Sequence, residues 1–362
     1  MKRDRHITGN RRQRLAAADL TDFVAAVLNA EGVPDEDARL VADSLVRADM
    51  WGHESHGVMR LPSYLKRLAG AVMRPVTEVR VVSECGAVAV WDGGDGIGQV
   101  IAARAMQAAM QRAGVHGVSA ISVRNSNHFG TAMYFTRMAP LRGQIAVLMT
   151  NASPAMAPWG GTLATVGTNP WSIGAPAGRH PPLLLDIANT SVARGKIFLA
   201  QQQALPIPAG WATDRHGEPT TDPGQALSGL LLPMGGHKGY GIAVMIDVLA
   251  GVLSGSSFAA AVHGPYQAER CSGCGHLIIA LNISAFMPLH EFNARAEELI
   301  GQLKSVPPAA GHAEVLYPGE PEARSEAKAM REGIALPSAT LAGLEQIAHA
   351  TGIALPVTCA DG

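Results

Sequence analysis

Ala87-Val-Ala-Val-Trp-Asp-Gly-Gly-Asp-Gly-Ile-Gly98 is the stretch whose reading decides the fold. Ala87–Trp91 has the short apolar run of a strand, and Gln99–Ala113 is an Ala-rich helix. A glycine turn between strand and helix is the setting of the dinucleotide fingerprint G-x-G-x-x-G, with an acid about 20 residues on. Here the glycines fall at Gly94, Gly96 and Gly98, so the third is misplaced. The stretch reads as a tight turn and not as an ordinary Rossmann phosphate loop.

Outward from this turn the pattern alternates. Val79–Ser83 and Ala87–Trp91 pair through Cys85-Gly86, and strands are expected at Gly117–Val123, Gln144–Thr150, Leu183–Ile187 and His276–Asn282. Helices are expected at Thr131–Leu141, Thr190–Ala200 and Gly239–Leu253. Residues 151–178 read as loops with one short strand, and the turn-rich residues 201–224 as a functional cover. Alternation of strand and helix argues for an α/β core over residues 79–288.

The ends are helical. Asp19 or Thr21 can cap a helix with Phe23, Val24, Val27 and Leu28 on one stripe. Pro34 with Asp35, Glu36 and Asp37 opens a second. Leu289–Lys304, Glu320–Arg331 and Ser338–Thr351 close the chain. Residues 15–78 and 289–352 are therefore expected to pack as one helical lobe.

With 362 residues, more than one lobe is expected. A net charge of −1 gives no argument for nucleic acid, and no apolar run approaches the ~20 residues that span a bilayer. Residues 1–14 are basic and read as a frayed tail, with an organelle address as the alternative. The cysteines Cys85, Cys271, Cys274 and Cys359 are few, which fits a reducing cytoplasm. Cys271-Ser-Gly-Cys274 lacks a second pair, so no metal site is expected.

Four stretches carry chemistry. In Trp51–Tyr64, His56, Arg60 and Tyr64 recur at a spacing of four and would share one face of a helix. Arg60 could hold a carboxylate by a two-point fork, and His56 could move a proton. Pro62 fits if the helix starts near Leu61. Asn125-Ser-Asn-His-Phe-Gly130 is a polar loop after a strand, with room for a ligand beside His128. Asp186-Ile-Ala-Asn-Thr-Ser191 ends a strand in an acid before a helix start. Asp186 there could accept from a ribose, orient a histidine or simply cap. Pro233-Met-Gly-Gly-His-Lys-Gly-Tyr-Gly241 places Lys238 among glycines at a helix start, an anion cradle or a plain turn.

Seven motifs occur in one order: Ser55-His-Gly with Arg60 and Tyr64, Asn127-His-Phe-Gly, Gly167-Thr-Asn-Pro170, Asp186-Ile-Ala-Asn-Thr with Ala193-Arg-Gly-Lys196, Thr220-Thr-Asp-Pro223, Gly235-Gly-His-Lys-Gly-Tyr-Gly241 and Tyr317-Pro-Gly-Glu320. Together the chain resembles the malate/L-lactate dehydrogenase family of the second type, from about residue 15 to 350. That family also holds L-sulfolactate and ureidoglycolate dehydrogenases and piperideine- and pyrroline-2-carboxylate reductases.

The resemblance implies a non-Rossmann NAD(P)-binding mixed-sheet core, NAD or NADP as cofactor, and a homodimer with the site near the interface. It implies His56, His128, Ser55 and Asp186 as catalytic residues, with Arg60, Tyr64 and Thr168 on the substrate. The cofactor contacts would be His128, Phe129, Gly130, Thr131, Ala132, Asp186, Ile187, Ala188, Asn189, Gly236, His237, Lys238, Gly319, Glu320 and Arg324. Members differ on whether the histidine matching His56 or that matching His128 is the acid/base. The geometry expected of a helix favours His56, with His128 orienting nicotinamide and substrate. Two features depart from the family: Cys271-Ser-Gly-Cys274 matches no motif, and His237 stands where many malate-type members carry Tyr and some imine reductases carry His, which bears on the substrate and not on the cofactor.

The expected reaction is hydride transfer between NAD(P) and a small 2-hydroxy/2-oxo acid such as malate or L-lactate. Its runner-up is reduction of a cyclic imine 2-carboxylate, where the same histidine would protonate nitrogen. A non-catalytic metal-binding or interaction protein is the alternative from another class; the lone C-x-x-C favours it, and intact His56, His128, Arg60 and Lys238 oppose it.

Overall fold

A seven-stranded sheet runs through the computed structural model, which describes residues 14–202 and 204–357. Cys359 and all of the basic tail except Arg14 lie outside the described residues. Arg14 begins a two-residue ladder with Ile334–Ala335, so the N-terminal and C-terminal segments meet there.

In chain order the sheet strands are β1 (Arg80–Cys85), β2 (Val88–Asp92), β3 (Val118–Ser126), β4 (Gln144–Thr150), β5 (Trp171–Ala175), β6 (Leu183–Ile187) and β7 (Cys274–Asn282). Across the sheet the order is β1-β2-β3-β7-β4-β5-β6. Only β2 and β3 run parallel; every other neighbouring pair is antiparallel. A doubly wound sheet needs parallel strands throughout its binding half. The mixed sheet thus agrees with the misplaced third glycine. β7 is central, and its Leu277, Ile278 and Ala280 are buried, which accounts for its near-continuous apolar sequence.

The first helices are α1 (Ala17–Ala30), α2 (Asp35–Met50), α3 (Leu61–Ala69) and α4 (Gly98–His116). Leu20, Phe23 and Leu28 of α1, Val41 and Leu45 of α2, and Leu61 and Leu68 of α3 form one core cluster. Leu344 and Ile347 of the last helix, Ser338–Thr351, join it, so the two chain ends share that cluster. The helix Leu289–Lys304 packs elsewhere: its Ile300 meets Ala177 and Tyr317.

Several local expectations change. α1 starts at Ala17, so neither Asp19 nor Thr21 caps it, and the Thr21 hydroxyl bonds back to the Ala17 carbonyl. The helix expected at Thr131–Leu141 shortens to α5 (Met133–Thr136), followed by a 3₁₀ turn at Pro140–Arg142. The helix expected at Gly239–Leu253 is α-helical at His237–Ile246 and continues as a π-helix over Asp247–Val252.

Trp51–Tyr64 is not one helix. Glu54–His56 and Val58–Arg60 are separate 3₁₀ turns, and α3 begins at Leu61 with Pro62 in its first turn. Asp49 causes the break. Its buried carboxylate accepts the Val58 N–H at 2.8 Å, and a Cβ at Gly57 would overlap that carboxylate. Gly57 is therefore required by close approach.

Candidate active site

His56, Arg60, Tyr64 and His128 come together, although 64 residues separate Tyr64 from His128. The Tyr64 hydroxyl lies 2.7 Å from His128 Nδ1. The His56 and His128 rings stack with centroids 5.7 Å apart and planes 18° apart. Ser55 Oγ lies 2.9 Å from His56 Nδ1. Arg60 Nε donates to the Ser55 carbonyl at 2.7 Å, while its Nη1 is buried with no partner. A guanidinium nitrogen buried without an acceptor is costly unless a ligand supplies one.

The glycine turn explains how His128 reaches this cluster. A Cβ at Gly98 would overlap the carbonyls of Asn127 and His128, so only glycine lets the His128 loop lie against the start of α4. The next residue, Gln99, is fully buried and donates from Nε2 to the Tyr64 hydroxyl at 3.0 Å. Sequence reasoning missed Gln99. Its signal was a polar residue at the head of an Ala-rich helix, directly after the last glycine of the turn.

The proton positions follow from the partners. The Gly130 N–H can only donate, and it points at His128 Nδ1 at 3.3 Å. The Gln99 amide donates to Tyr64, which leaves the Tyr64 proton for the same Nδ1. His128 therefore accepts at Nδ1 and carries its proton on Nε2. The Ser55 hydroxyl facing His56 can donate or accept, so His56 can hold its proton on either nitrogen. Burial pushes the His56 pKa down to about 3, and the Arg60 charge and His53 add to this. Burial, then Arg60, holds His128 well below its ordinary value. Both imidazoles are neutral near pH 7. Burial raises the Tyr64 phenol, which stays protonated and able to donate.

Asp186 has a different setting. Its Oδ2 accepts the Met133 N–H at 2.8 Å, so it holds the start of α5. No hydrogen bond joins it to His56 or His128 among the described residues. Burial raises its carboxyl to about 6, against that backbone bond and the nearby His53. Met133, the donor of this bond, lines a cavity of about 150 Å³ with Leu184, Trp51, Arg137, Gly319 and Glu322. That volume suits one ring system and not a whole dinucleotide.

The other expected cofactor residues divide. Gly130 and Thr131 adjoin the site, and the Thr131 hydroxyl is buried without a partner; Phe129 and Ala132 are core residues. Ile187 and Ala188 are half-buried at the end of β6. Asn189 is fully buried and braces the fold: its side chain bonds to the Asn169 carbonyl at 2.5 Å and to Trp171 Nε1 at 3.2 Å. Its N–H bonds to the Thr168 carbonyl at 2.9 Å. The Asn189 carbonyl in turn accepts the Met234 N–H at 2.9 Å, tying β6 to the Gly235–Lys238 turn. Gly235 and Gly236 both have positive φ, and a ten-residue α-helix starts at His237. Lys238 is exposed there, and His237 packs edge-on against Trp159 at 5.9 Å. Glu320 and Arg324 are engaged with each other and with Lys304 and Glu314 in an ion-pair network.

Cys271 is exposed and Cys274 buried, while His276 is held between Thr150 Oγ1 at 2.8 Å and Ser126 Oγ at 2.7 Å. Among the described residues no group of three or more His, Cys, Asp or Glu could hold a metal ion.

Residues 15–345 match the profile of malate/L-lactate dehydrogenases. The chain belongs to the malate/L-lactate dehydrogenase family. Among its relatives, L-sulfolactate dehydrogenase of Methanocaldococcus jannaschii is 40% identical over 331 residues, covering 91% of this chain and 95% of that protein. Malate dehydrogenase of Pyrococcus abyssi is 36% identical over 348 residues, covering 94% and 95%. The structure of malate dehydrogenase from Pyrococcus horikoshii superposes with a TM-score of 0.88 at 33% identity, covering 98% of this chain and 100% of that one. In this dehydrogenase family member, five of the seven motifs fall on the His56–His128 cluster, the β6 end, the Lys238 turn and the Gly319 helix start; Gly167–Pro170 meets Asn189 through the Thr168 carbonyl, and Thr220–Pro223 opens the short helix Pro223–Ser228 that Asp222 caps.

Proposed function

We propose that this chain transfers hydride between NAD(P) and C2 of a small 2-hydroxy/2-oxo acid such as malate or L-lactate. The observation that carries the reading is the buried, unpartnered Nη1 of Arg60 beside two neutral histidines. Arg60 would hold the substrate carboxylate through its free Nη end. His56 would exchange the proton of the C2 oxygen, because the Ser55 hydroxyl accommodates either tautomer. His128, with its proton fixed on Nε2, would donate a hydrogen bond to the substrate and orient it.

The residues present fit a nicotinamide dinucleotide. The Lys238 helix start offers free N–H groups and a cation to phosphates, and the cavity at Gly319 has room for one ring system. When bound, the nicotinamide supplies or takes the hydride. Residues 79–288 would hold most of it, with Trp51 and the Gly319 helix start closing the ring cavity, and the His56–Tyr64 segment would supply the substrate side. NAD and NADP both remain compatible with these groups.

The cyclic-imine reading is not favoured, since the relatives described above are named for hydroxyacid substrates. A panel of 2-oxo acids and cyclic imine 2-carboxylates, each with NADH and NADPH, tests the proposal. Nucleotide oxidation with a 2-oxo acid is expected, and oxidation with the imines alone would reject it.

Lys238→Ala is expected to weaken nucleotide binding by roughly 5- to 10-fold, a modest loss because the ammonium is exposed and screened. A dissociation constant unchanged in the folded variant would remove Lys238 from the site.

The chain is proposed to act as a homodimer. Ile242, Met245, Val248 and Val252 line one side of the helix from His237 to Val252 and are all exposed, with Val252 at 54%. Such a stripe marks an association surface. Light scattering should give twice the chain mass, and Val252→Asp with Met245→Asp should halve it; a monomeric wild type would defeat this. Free Cys85, Cys271 and Cys274 are consistent with a reducing cytoplasm, the proposed location. Among the described residues no helix is long and apolar enough to cross a membrane.

A further inference from the structure

Arg67 is 1% exposed, although an arginine is costly to bury. It lies on α3, three residues beyond Tyr64. Its Nη1 donates to the carbonyls of Gly264 and Gln267, and its Nη2 to Asn127 Oδ1 at 2.9 Å. Two of these acceptors flank Tyr266. The same loop is closed on itself by the Gln267 N–H to the Gly264 carbonyl at 3.1 Å and the Gly264 N–H to Gln267 Oε1 at 3.0 Å. It also passes so near α3 that a Cβ at Gly70 would lie 2.5 Å from the Ala268 carbonyl oxygen. Two hydrogen bonds from Arg67 and this close approach at the end of α3 thus fix a segment that would otherwise be a free surface loop.

The segment delivers one side chain to the site. The Arg60 guanidinium carbon lies 5.1 Å from the centroid of the Tyr266 ring. Tyr266 is also close enough to Tyr64 to raise its pKa. A ring on the guanidinium face leaves the in-plane N–H groups free. The Nε edge is already held by the Ser55 carbonyl, so only the Nη end can take a carboxylate.

We propose that Tyr266 is a positioning residue for the substrate carboxylate, its ring holding the Arg60 plane so that the Nη end faces the site. This inference rests on the reading of Arg60 as the carboxylate clamp. Arg67 acts one step further back, by holding the Tyr266 loop against α3. Because Tyr266 is 68% exposed, truncating it removes the ring with little effect on the core.

The test uses oxamate, a carboxylate mimic of a 2-oxo acid, titrated calorimetrically into the nucleotide-loaded full-length protein. Tyr266→Ala should weaken oxamate binding by about 3- to 30-fold, the range of a cation–π contact. KM for the 2-oxo acid should rise by the same factor, with kcat within about 3-fold of wild type. Tyr266→Phe, which keeps the ring, should restore both. Binding by Tyr266→Ala equal to wild type would overturn the proposal, as would Tyr266→Phe as weak as Tyr266→Ala. Wild type that fails to bind oxamate would remove the Arg60 clamp and this inference together. Wild type that binds oxamate but reduces no 2-oxo acid would reject the proposed function alone, and the oxamate affinities would still decide the role of Tyr266.

Discussion

His56→Ala is expected to lower kcat by about 10²- to 10⁴-fold, the usual worth of a positioned acid/base, with nucleotide affinity near normal. His128→Ala is expected to lower rate and to weaken substrate and nucleotide binding together, since its fixed tautomer serves orientation. The difference comes from the partners. Ser55 gives His56 a hydroxyl that serves either proton position, whereas the Gly130 N–H and the Gln99–Tyr64 chain commit His128 to one. If His56→Ala keeps most of kcat while His128→Ala abolishes it with nucleotide affinity intact, the roles are exchanged.

A pH dependence follows from the same environment. His56 titrates at about 3 in the free site, so kcat/KM for hydroxyacid oxidation should show no limb from this base near 6.5. A substrate carboxylate on Arg60 would neutralise one of the charges that push His56 down. The acid limb of kcat, which reports the substrate complex, should therefore lie higher than that of kcat/KM. The opposite order would contradict Arg60 as the carboxylate holder.

Arg60→Lys is the second large effect. The charge survives, but the planar fork, the bond to the Ser55 carbonyl and the face for Tyr266 are lost. KM for the 2-oxo acid should rise by roughly 10- to 100-fold, about 1.5–3 kcal/mol for a hydrogen bond to a charged group. Nucleotide affinity should change little. Steady-state kinetics with separate nucleotide titration checks this, and a nucleotide defect as large as the substrate defect would move Arg60 to the cofactor side.

Local pattern was enough for much of the sheet. Gln144–Thr150 and Leu183–Ile187 are strands over the limits that alternation and turn residues indicate, and Leu289–Lys304 and Ser338–Thr351 are helices as their periodicity indicates. His56, Arg60, Tyr64 and His128, which the motif order singled out together, do lie side by side. What escaped was tertiary. The break at Gly57 needs the Asp49 carboxylate, which lies one helix earlier and competes for the Val58 N–H. Tyr64 could be read only as a donor on a helix face; that its hydroxyl serves His128 depends on Gln99 and Gly98, over thirty residues away. Arg67 and Tyr266 carry no motif, and 199 positions separate them, so their joint role appears only once the loop is folded onto α3. The resemblance implies Glu320 and Arg324 as cofactor contacts, but their side chains find acceptors and donors within their own network.

Deuterium transfer from reduced nicotinamide nucleotide carrying deuterium at both C4 positions is the most direct measurement of the central claim. With a 2-oxo acid as acceptor, mass spectrometry should find one deuterium at C2 of the hydroxyacid product in wild type, and almost none with His56→Ala over the same time. Transfer to a cyclic imine carboxylate but to no 2-oxo acid, or product formed without deuterium, would contradict it.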